Sequence, residues 1–377
     1  MKAVYRAFLH EFGRIFTVRP AFAVLVVAAA IYAAYYPQPY VNEALRRVPI
    51  AVVDSEDTTA SRELARRVDA TADVAVALLF PDMASAERAV FARDVHGILF
   101  IPKDFERSLL HGRGSPVALY ADASYFLVYQ RISLAVTAVA WTMGVEIETA
   151  RLIGAGIDPV LAAAASDPLP LTAVPLFNPQ SGYATYLLPA AFVLILQQTL
   201  LIGVGLLSTL PDRPAAAGAA ATVLGKLLAY TALEALVIPA YLVILPALYG
   251  LPRLGSLMTI LIMALPFVLA VGALGLLLAA LFRNALTVQL AMAALGLPLF
   301  FLAGFSWPAE AMPQTVQMLS LLIPSTSAID GLVRIAQMGA SLSQVARPLL
   351  TLSGLAVLYA AAALALESRR RGTRTGR

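Results

Sequence analysis

Hydrophobic residues along this chain form two patterns: long uninterrupted apolar runs, and short apolar stretches that alternate with polar ones. An apolar run of about 20 residues is long enough to cross the ~30 Å hydrocarbon layer of a bilayer as a helix. Six such runs predict membrane spans at residues 20–36, 183–210, 222–248, 257–281, 285–303 and 348–366. The predicted fold class is therefore an α-helical polytopic membrane protein with six transmembrane helices.

The second pattern occupies residues 37–182, between the first two spans. Strands are predicted at VPIAVVD, DVAVALL, HGILFIP and PVALYAD, and the segments between them have helical spacing. Strands that alternate with helices indicate a small α/β domain with a largely parallel sheet. The fold class thus includes an inserted extracytoplasmic α/β domain.

One helical segment, residues 124–156, could be mistaken for another span. Its apolar stretch covers only residues 132–145, and Arg131, Glu146 and Glu148 flank it closely. We therefore predict a helix that closes the α/β domain.

The two termini are basic, which sets the predicted orientation. Residues 1–19 have phenylalanines at helical spacing with Arg6 and Arg14 among them, a pattern typical of an amphipathic helix on a membrane surface. A cleaved signal peptide is the competing interpretation, but AAYYPQPY lacks a small-x-small cleavage site. The tail, residues 367–377, is also basic, so both ends are expected in the cytoplasm.

Composition agrees with a membrane protein, since 60% of the 377 residues are hydrophobic and 13% are charged. Residues 37–182 contain 12 Lys and Arg against 17 Asp and Glu, so an acidic soluble block interrupts a basic membrane body. The chain has no cysteine, which excludes disulfides and thiolate metal sites. Its three histidines are scattered, and no metal site is expected.

Few residues in the spans suggest chemistry. Glu234 is a carboxylate deep in a span, either functional or a hydrogen-bonded residue at a helix interface. Gln197 and Gln198 could line a transport path, although polar contacts between helices are the favoured interpretation. Lys226 follows a glycine-containing segment that departs from the phosphate-binding loop, so we predict an interfacial lysine that extends toward headgroups. Because no catalytic grouping appears, the chain is expected to bind no cofactor and no nucleic acid, and not to be an enzyme.

Residues 304–347, after the fifth predicted span, are polar and broken by prolines. Phe301, Phe305 and Trp307 lie at the junction, as aromatic residues do at the level of lipid headgroups. We expect short outer or re-entrant helices here, before the last crossing.

Four segments in order carry a family resemblance: PIAVVDSEDTTASREL, GILFIPKDFERSLLHG, LFNPQSGYATYLLPA and AGFSWPAEAMPQTVQMLSLLIPSTSAIDGL. With the six-span topology, they resemble type-2 ABC exporter permeases of the bacterial inner membrane, in the subgroup with a large extracytoplasmic domain between spans one and two. The resemblance implies export of an amphiphile such as a drug, lipid or glycan. The energy would come from ATP and Mg bound by a separate nucleotide-binding ATPase subunit.

The resemblance also assigns roles. Residues 1–19 are similar to the connecting helix and residues 211–221 to the coupling loop, which makes Arg6, Arg14, Asp212 and Arg213 candidate ATPase contacts. A second permease copy, identical or a sister chain, would complete a dimer in contact with lipid, and a periplasmic adaptor could dock on the α/β domain. The candidate residues of a gate or transport path are Gln197, Gln198, Glu234, Phe301, Phe305 and Trp307. The alternative function is a membrane-anchored envelope sensing or assembly protein whose α/β domain binds a periplasmic partner.

Overall fold

The computed structural model describes residues 1–211, 218–282 and 284–375 of the chain. Two compact units are present: a helical unit, Met1–Glu43 with Pro175–Arg377, and an α/β unit, Ala44–Val174. In chain order the helices are α1 (Lys2–Thr17), α2 (Arg19–Tyr40), α3 (Thr59–Asp69), α4 (Met83–Phe91), α5 (Phe105–Leu110), α6 (Phe126–Gly154), α7 (Pro159–Ser166), α8 (Tyr183–Thr209), α9 (Ala219–Leu248), α10 (Leu257–Phe282), α11 (Ala285–Leu302), α12 (Gln314–Ser320), α13 (Pro324–Met338) and α14 (Ala346–Thr375).

The α/β unit is built on a four-stranded sheet. Its strands are β1 (Val48–Asp54), β2 (Val74–Phe80), β3 (Gly97–Ile101) and β4 (Ala118–Ala121), in the order β2-β1-β3-β4. β1 pairs in parallel with both of its neighbours, and β4 runs antiparallel to β3. β1 lies inside the sheet, between β2 and β3, and most of its residues are buried because side chains pack on both of its faces.

Helix α6 has the length and composition of a membrane span, although the sequence predicted a helix that closes the α/β domain. It has 29 residues and, within the ranges that the structure describes, is one of six helices that are long and apolar enough to cross a membrane, with α2, α8, α9, α10 and most of α14. However, Val128, Ile132 and Val136 of α6 pack into the core of the sheet, which is where the predicted closing helix would lie. The predicted span at residues 285–303 corresponds instead to α11, an 18-residue helix that is shorter than those six.

Helix α8 is the centre of the helical unit, and α11 runs antiparallel along it. The hydroxyl of Tyr186 donates to the carbonyl of Phe305, and Gln198 Nε2 donates to the carbonyl of Met292 at 3.3 Å. Further along, Gly205 lies against Val288. Across these three contacts, residue numbers rise along α8 as they fall along α11. The two helices are therefore antiparallel, and α11 contacts α8 over most of its length.

Helices α12 and α13 form a bent pair, with an angle of 85° between them. α13 is antiparallel to α8, because Gln337 donates to the carbonyl of Thr185 at 2.5 Å and the N–H of Ser325 donates to Gln197 at 2.7 Å. These two bonds are 12 residues apart on each helix, or about 18 Å at 1.5 Å per residue. The N-terminus of α13 therefore lies beside the middle of α8 and its C-terminus beside the start of α8.

The chain leaves for the α/β unit and returns from it at one place in the helical unit, around Glu43. The carbonyl of Glu43 accepts the N–H of Tyr183 at 2.7 Å, and its carboxylate accepts the hydroxyl of Thr185 at 2.5 Å. Gly182 fits here because a Cβ on it would overlap the Glu43 side chain. Glu43 thus caps the first turn of α8, where a carboxylate is stabilised by the free N–H groups and the helix dipole.

Candidate functional site

A buried ionic cluster joins α1 to α8 and α9. Glu11, which is 1% exposed, accepts a hydrogen bond from the hydroxyl of Tyr230 at 2.6 Å and one from Arg14 at 3.0 Å. The same carboxylate lies 3.5 Å from Lys226 Nζ, and Arg14 donates a second bond to the carbonyl of Leu207 at 3.0 Å. We call these five residues the α1 cluster.

Close helix packing makes this cluster possible. Gly225 lies against the backbone of α1, where a Cβ would come within 2.8 Å of the Phe8 nitrogen and 2.9 Å of the Val4 carbonyl oxygen. Ile15, at 0% exposure, continues the contact into the core of the helical unit. α1 is therefore integrated into the helical unit through its polar residues as well as its apolar ones.

The cluster changes the interpretation of two residues predicted from sequence. Lys226 was expected to extend toward headgroups, but its side chain turns inward to Glu11 and is 15% exposed. Arg14, a candidate ATPase contact, is buried and holds helices of its own chain together. Arg6 is exposed on α1 and remains a candidate contact, whereas Asp212 and Arg213 lie outside the described residues.

Glu234 is buried in α9, as expected for a residue deep within a predicted span. Its Oε2 atom has no hydrogen-bond partner among the described residues, and neither does Oγ1 of Thr231, one turn earlier on the same helix face. Nearby, α9 contains a π-helical segment, Ala240–Ile244, whose Tyr241 donates to the carbonyl of Ala29 at 2.5 Å. π-Segments are frequent at functional sites.

Gln197 and Gln198 both join helices, in agreement with the favoured interpretation of these residues. Gln197 Oε1 accepts the N–H of Ser325 on α13, and Gln198 Nε2 reaches the carbonyl of Met292 on α11. Each glutamine also has one buried atom without a partner among the described residues, Nε2 of Gln197 and Oε1 of Gln198.

The aromatic residues after α11 divide into a packed group and an exposed group. Phe305 is buried against Tyr186, with ring centroids 5.2 Å apart, and Phe300 bridges Phe305 and Phe301. Phe301 is 54% exposed and Trp307 58% exposed. Phe301 and Trp307 are therefore available to lipid or to a substrate, whereas Phe305 holds the junction to α8.

The α/β unit has an open groove of about 380 Å³ between α3 and α6. Arg67, Thr71 and Asp73 lie on its polar side, and Leu134 and Ala138 are among its apolar lining. Hydrogen bonds from Arg67, and next from Arg66, hold the pKa of the neighbouring Glu63 below its ordinary value. No group of three or more His, Cys, Asp or Glu side chains in the described ranges is placed to hold a metal ion.

Glu11, Tyr230 and Ser325 were not predicted from the sequence. Glu11 did carry a signal, as an acidic residue within a basic N-terminal segment and three positions before Arg14. Its partner Tyr230 is 219 residues away, a pairing that helical spacing alone does not indicate.

A family model described as ABC-2 family transporter protein matches residues 15–365 of the chain. The chain belongs to the ABC-2 transporter family. None of the curated proteins and none of the solved structures gives a significant match. As an ABC-2 protein it is a multi-pass membrane permease of an ABC transporter, a subunit type that works with a nucleotide-binding ATPase subunit and lacks an ATP-binding domain of its own.

Proposed function

We propose that this ABC-2 permease exports an amphiphilic molecule, such as a drug, lipid or glycan conjugate, outward across the bacterial inner membrane. A separate ATPase subunit, with ATP and Mg, supplies the energy, and a second permease copy or a sister chain completes the dimer. The observation that carries the proposal is the α1 cluster. It ties α1 to Leu207, near the end of α8, and to Lys226, in the second turn of α9.

The mechanism follows from that link. The predicted coupling loop, residues 211–221, follows α8 and extends into the first turn of α9, so a push on this loop would reach both helices. Because Glu11 and Arg14 bind the same two helices, α1 moves with them. Packed helices have discrete arrangements, so the displacement would switch α8 and α9 between two packings and move α12 and α13 at the other end of α8.

The orientation proposed for the permease places α1 and the α14 tail in the cytoplasm. Lys2, Arg6 and Arg19 on the N-terminal segment and the arginines after Glu367 support this side by the positive-inside rule. The start of α8 and the α/β unit are then periplasmic. Phe301 and Trp307, both exposed, would border the outer gate.

Reconstitution of the permease into liposomes with its ATPase subunit tests the proposal. We expect ATP hydrolysis stimulated by the permease and ATP-dependent movement of a fluorescent lipid. Deleting residues 211–214 should abolish both. Hydrolysis and transport that survive this deletion unchanged would contradict the coupling assignment.

A second function is favoured by the groove in the α/β unit. Its mixed lining of Arg67, Asp73 and apolar α6 residues suits the binding of another protein of the cell envelope. That protein would be an adaptor if this chain is an exporter, or a signalling or assembly partner if this chain is a sensing or assembly protein. Substituting Leu134 with Arg, in the groove, separates the two. Loss of partner binding with loss of transport supports an adaptor, whereas partner binding by a permease that transports nothing supports sensing.

A further inference from the structure

A cluster of unpartnered polar groups surrounds the N-terminus of α13. Ser325 is fully buried and Gln197 is 1% exposed. Among the described residues, Nε2 of Gln197, Oγ of Ser325 and Oγ1 of Thr326 are buried and have no hydrogen-bond partner. Buried polar groups without partners are destabilising and uncommon in folded proteins. Three of them at one place call for a ligand that satisfies them.

All three groups can donate a hydrogen bond. Because Gln197 Oε1 accepts the N–H of Ser325, the unpartnered end of this side chain is its amide nitrogen, which can only donate. The two hydroxyls can donate as well. They lie in the first turn of a 15-residue helix, whose dipole places positive potential at this end. An anionic oxygen group complements all of these features.

The cluster lies deep in the helical unit. Gln197 is 14 residues beyond the start of α8, or about 21 Å along the helix. Close to the bend between α12 and α13, the carbonyl of Leu322 accepts the hydroxyl of Tyr359, which is 13 residues, or about 20 Å, into α14. Both estimates put the N-terminus of α13 near half the depth of the spans, so α12 and α13 form a re-entrant pair. Half-helices that end near the midplane bind anionic substrate groups in other transporters.

Charged side chains of α13 do not compete for these donors. Asp330 is exposed, and it lies 3.5 Å from Arg334, one turn further along the helix. The cluster itself contains no carboxylate. Its donors are enclosed by α8 and α13, so a ligand would reach them when these two helices separate.

We propose that Gln197, Ser325 and Thr326 form a binding site for the anionic head group, a phosphate or carboxylate, of an amphiphilic substrate. The inference rests on the proposed export function and narrows its substrate class. α13 would act as the element that closes over the head group, with the bond between Gln197 and Ser325 made in the closed form and broken as the substrate enters.

Binding of dodecyl phosphate to the purified full-length permease in neutral maltoside micelles, measured by calorimetry, tests the site. Dodecyltrimethylammonium, which has the same alkyl chain and a cationic head, is the comparison. We expect dodecyl phosphate to bind more tightly. Gln197→Glu should weaken it by at least about tenfold, since a donor to an anion is replaced by a like charge. The double variant Ser325→Ala, Thr326→Ala should also weaken it, and removing only unpartnered hydroxyls leaves the fold intact.

Thr199→Ala is the control for the double variant. Thr199 is buried on α8, two residues beyond Gln197, but its hydroxyl donates to the carbonyl of Ile195 in its own helix at 2.8 Å, so dodecyl phosphate affinity should not change. Three results would overturn the inference: no binding by the unmodified permease, equal affinity for the cationic amphiphile, or unchanged affinity in the folded double variant. Because the assay contains no ATPase, these results leave the export assignment untouched, and failed ATP-driven transport leaves the binding result valid.

Discussion

Replacing Glu11 with alanine should loosen α1 from the rest of the helical unit. The substitution leaves Arg14 and Lys226, at 9% and 15% side-chain exposure, without the carboxylate that they share. Removing one partner of a buried charge pair costs about 3–5 kcal/mol. Because Lys226 keeps some access to water, we take the lower end of that range, about 3 kcal/mol, which is roughly a hundredfold change in an opening equilibrium.

A single introduced thiol measures this opening, since the chain has no cysteine of its own. Ile15 is fully buried, so Ile15→Cys places a smaller side chain on the packed face of α1. Its reaction with a maleimide requires local opening, and the rate follows the open fraction. We expect labelling about a hundredfold faster when Glu11→Ala is added. Tyr230→Phe, which removes one hydrogen bond, should increase the labelling rate about fivefold.

Arg6→Ala is the control, because Arg6 is exposed on the same helix. It should leave the labelling rate unchanged. A Glu11→Ala protein that is labelled at the parental rate would show that the α1 cluster does not hold α1 in place, and the proposed coupling mechanism would lose its physical basis.

Three further predictions concern other parts of the permease. Glu234→Gln and Glu234→Ala should reduce transport in liposomes at equal amounts of folded protein, and normal transport by both would make Glu234 a structural residue. Phe301→Ala and Trp307→Ala should alter export with little change in melting temperature, because both side chains are exposed; unaltered export would leave them a membrane-interface role only. Hydrogen bonds from the backbone and then the side chain of Ser85 lower the pKa of Asp82. The Asp82 cap therefore stabilises α4 fully when the pH is above the ordinary pKa of aspartate, and this stabilisation is lost as the pH falls through the lowered pKa of Asp82 in the folded protein. Asp82→Ala should consequently lower the melting temperature at neutral pH and leave it unchanged in strong acid.

The sequence predicted the helical spans well where a long apolar run coincided with a buried helix, as in α8 and α10. The sequence was less informative where the length of an apolar helix does not match the surroundings in which it is buried. α6 has the length and composition of a span but also packs on the sheet through Ile132, whereas α11 is short but follows α8 along its length. Hydropathy measures transfer from water, and it does not distinguish lipid from a protein core.

The candidate site was predictable only in part, for a related reason. Gln197 stood out because a polar residue within a span is costly. Ser325 did not, because nothing local in PSTS indicates that this helix begins near half the depth of the membrane. That depth is set by contacts with α8 and α14, which are 128 and 37 residues away in the chain.

The hydrogen bond between the carbonyl of Glu43 and the N–H of Tyr183 has a consequence for how this protein could change over evolutionary time. The residues that flank the α/β unit already touch, so the ends of α2 and α8 stay in place whatever the loop between them contains. The unit is therefore an insertion whose removal or exchange would leave the helical body closed. Replacing residues 44–181 with a few glycines should give a protein that still inserts and folds, a minimal permease on which the part played by the α/β unit can be measured by adding it back.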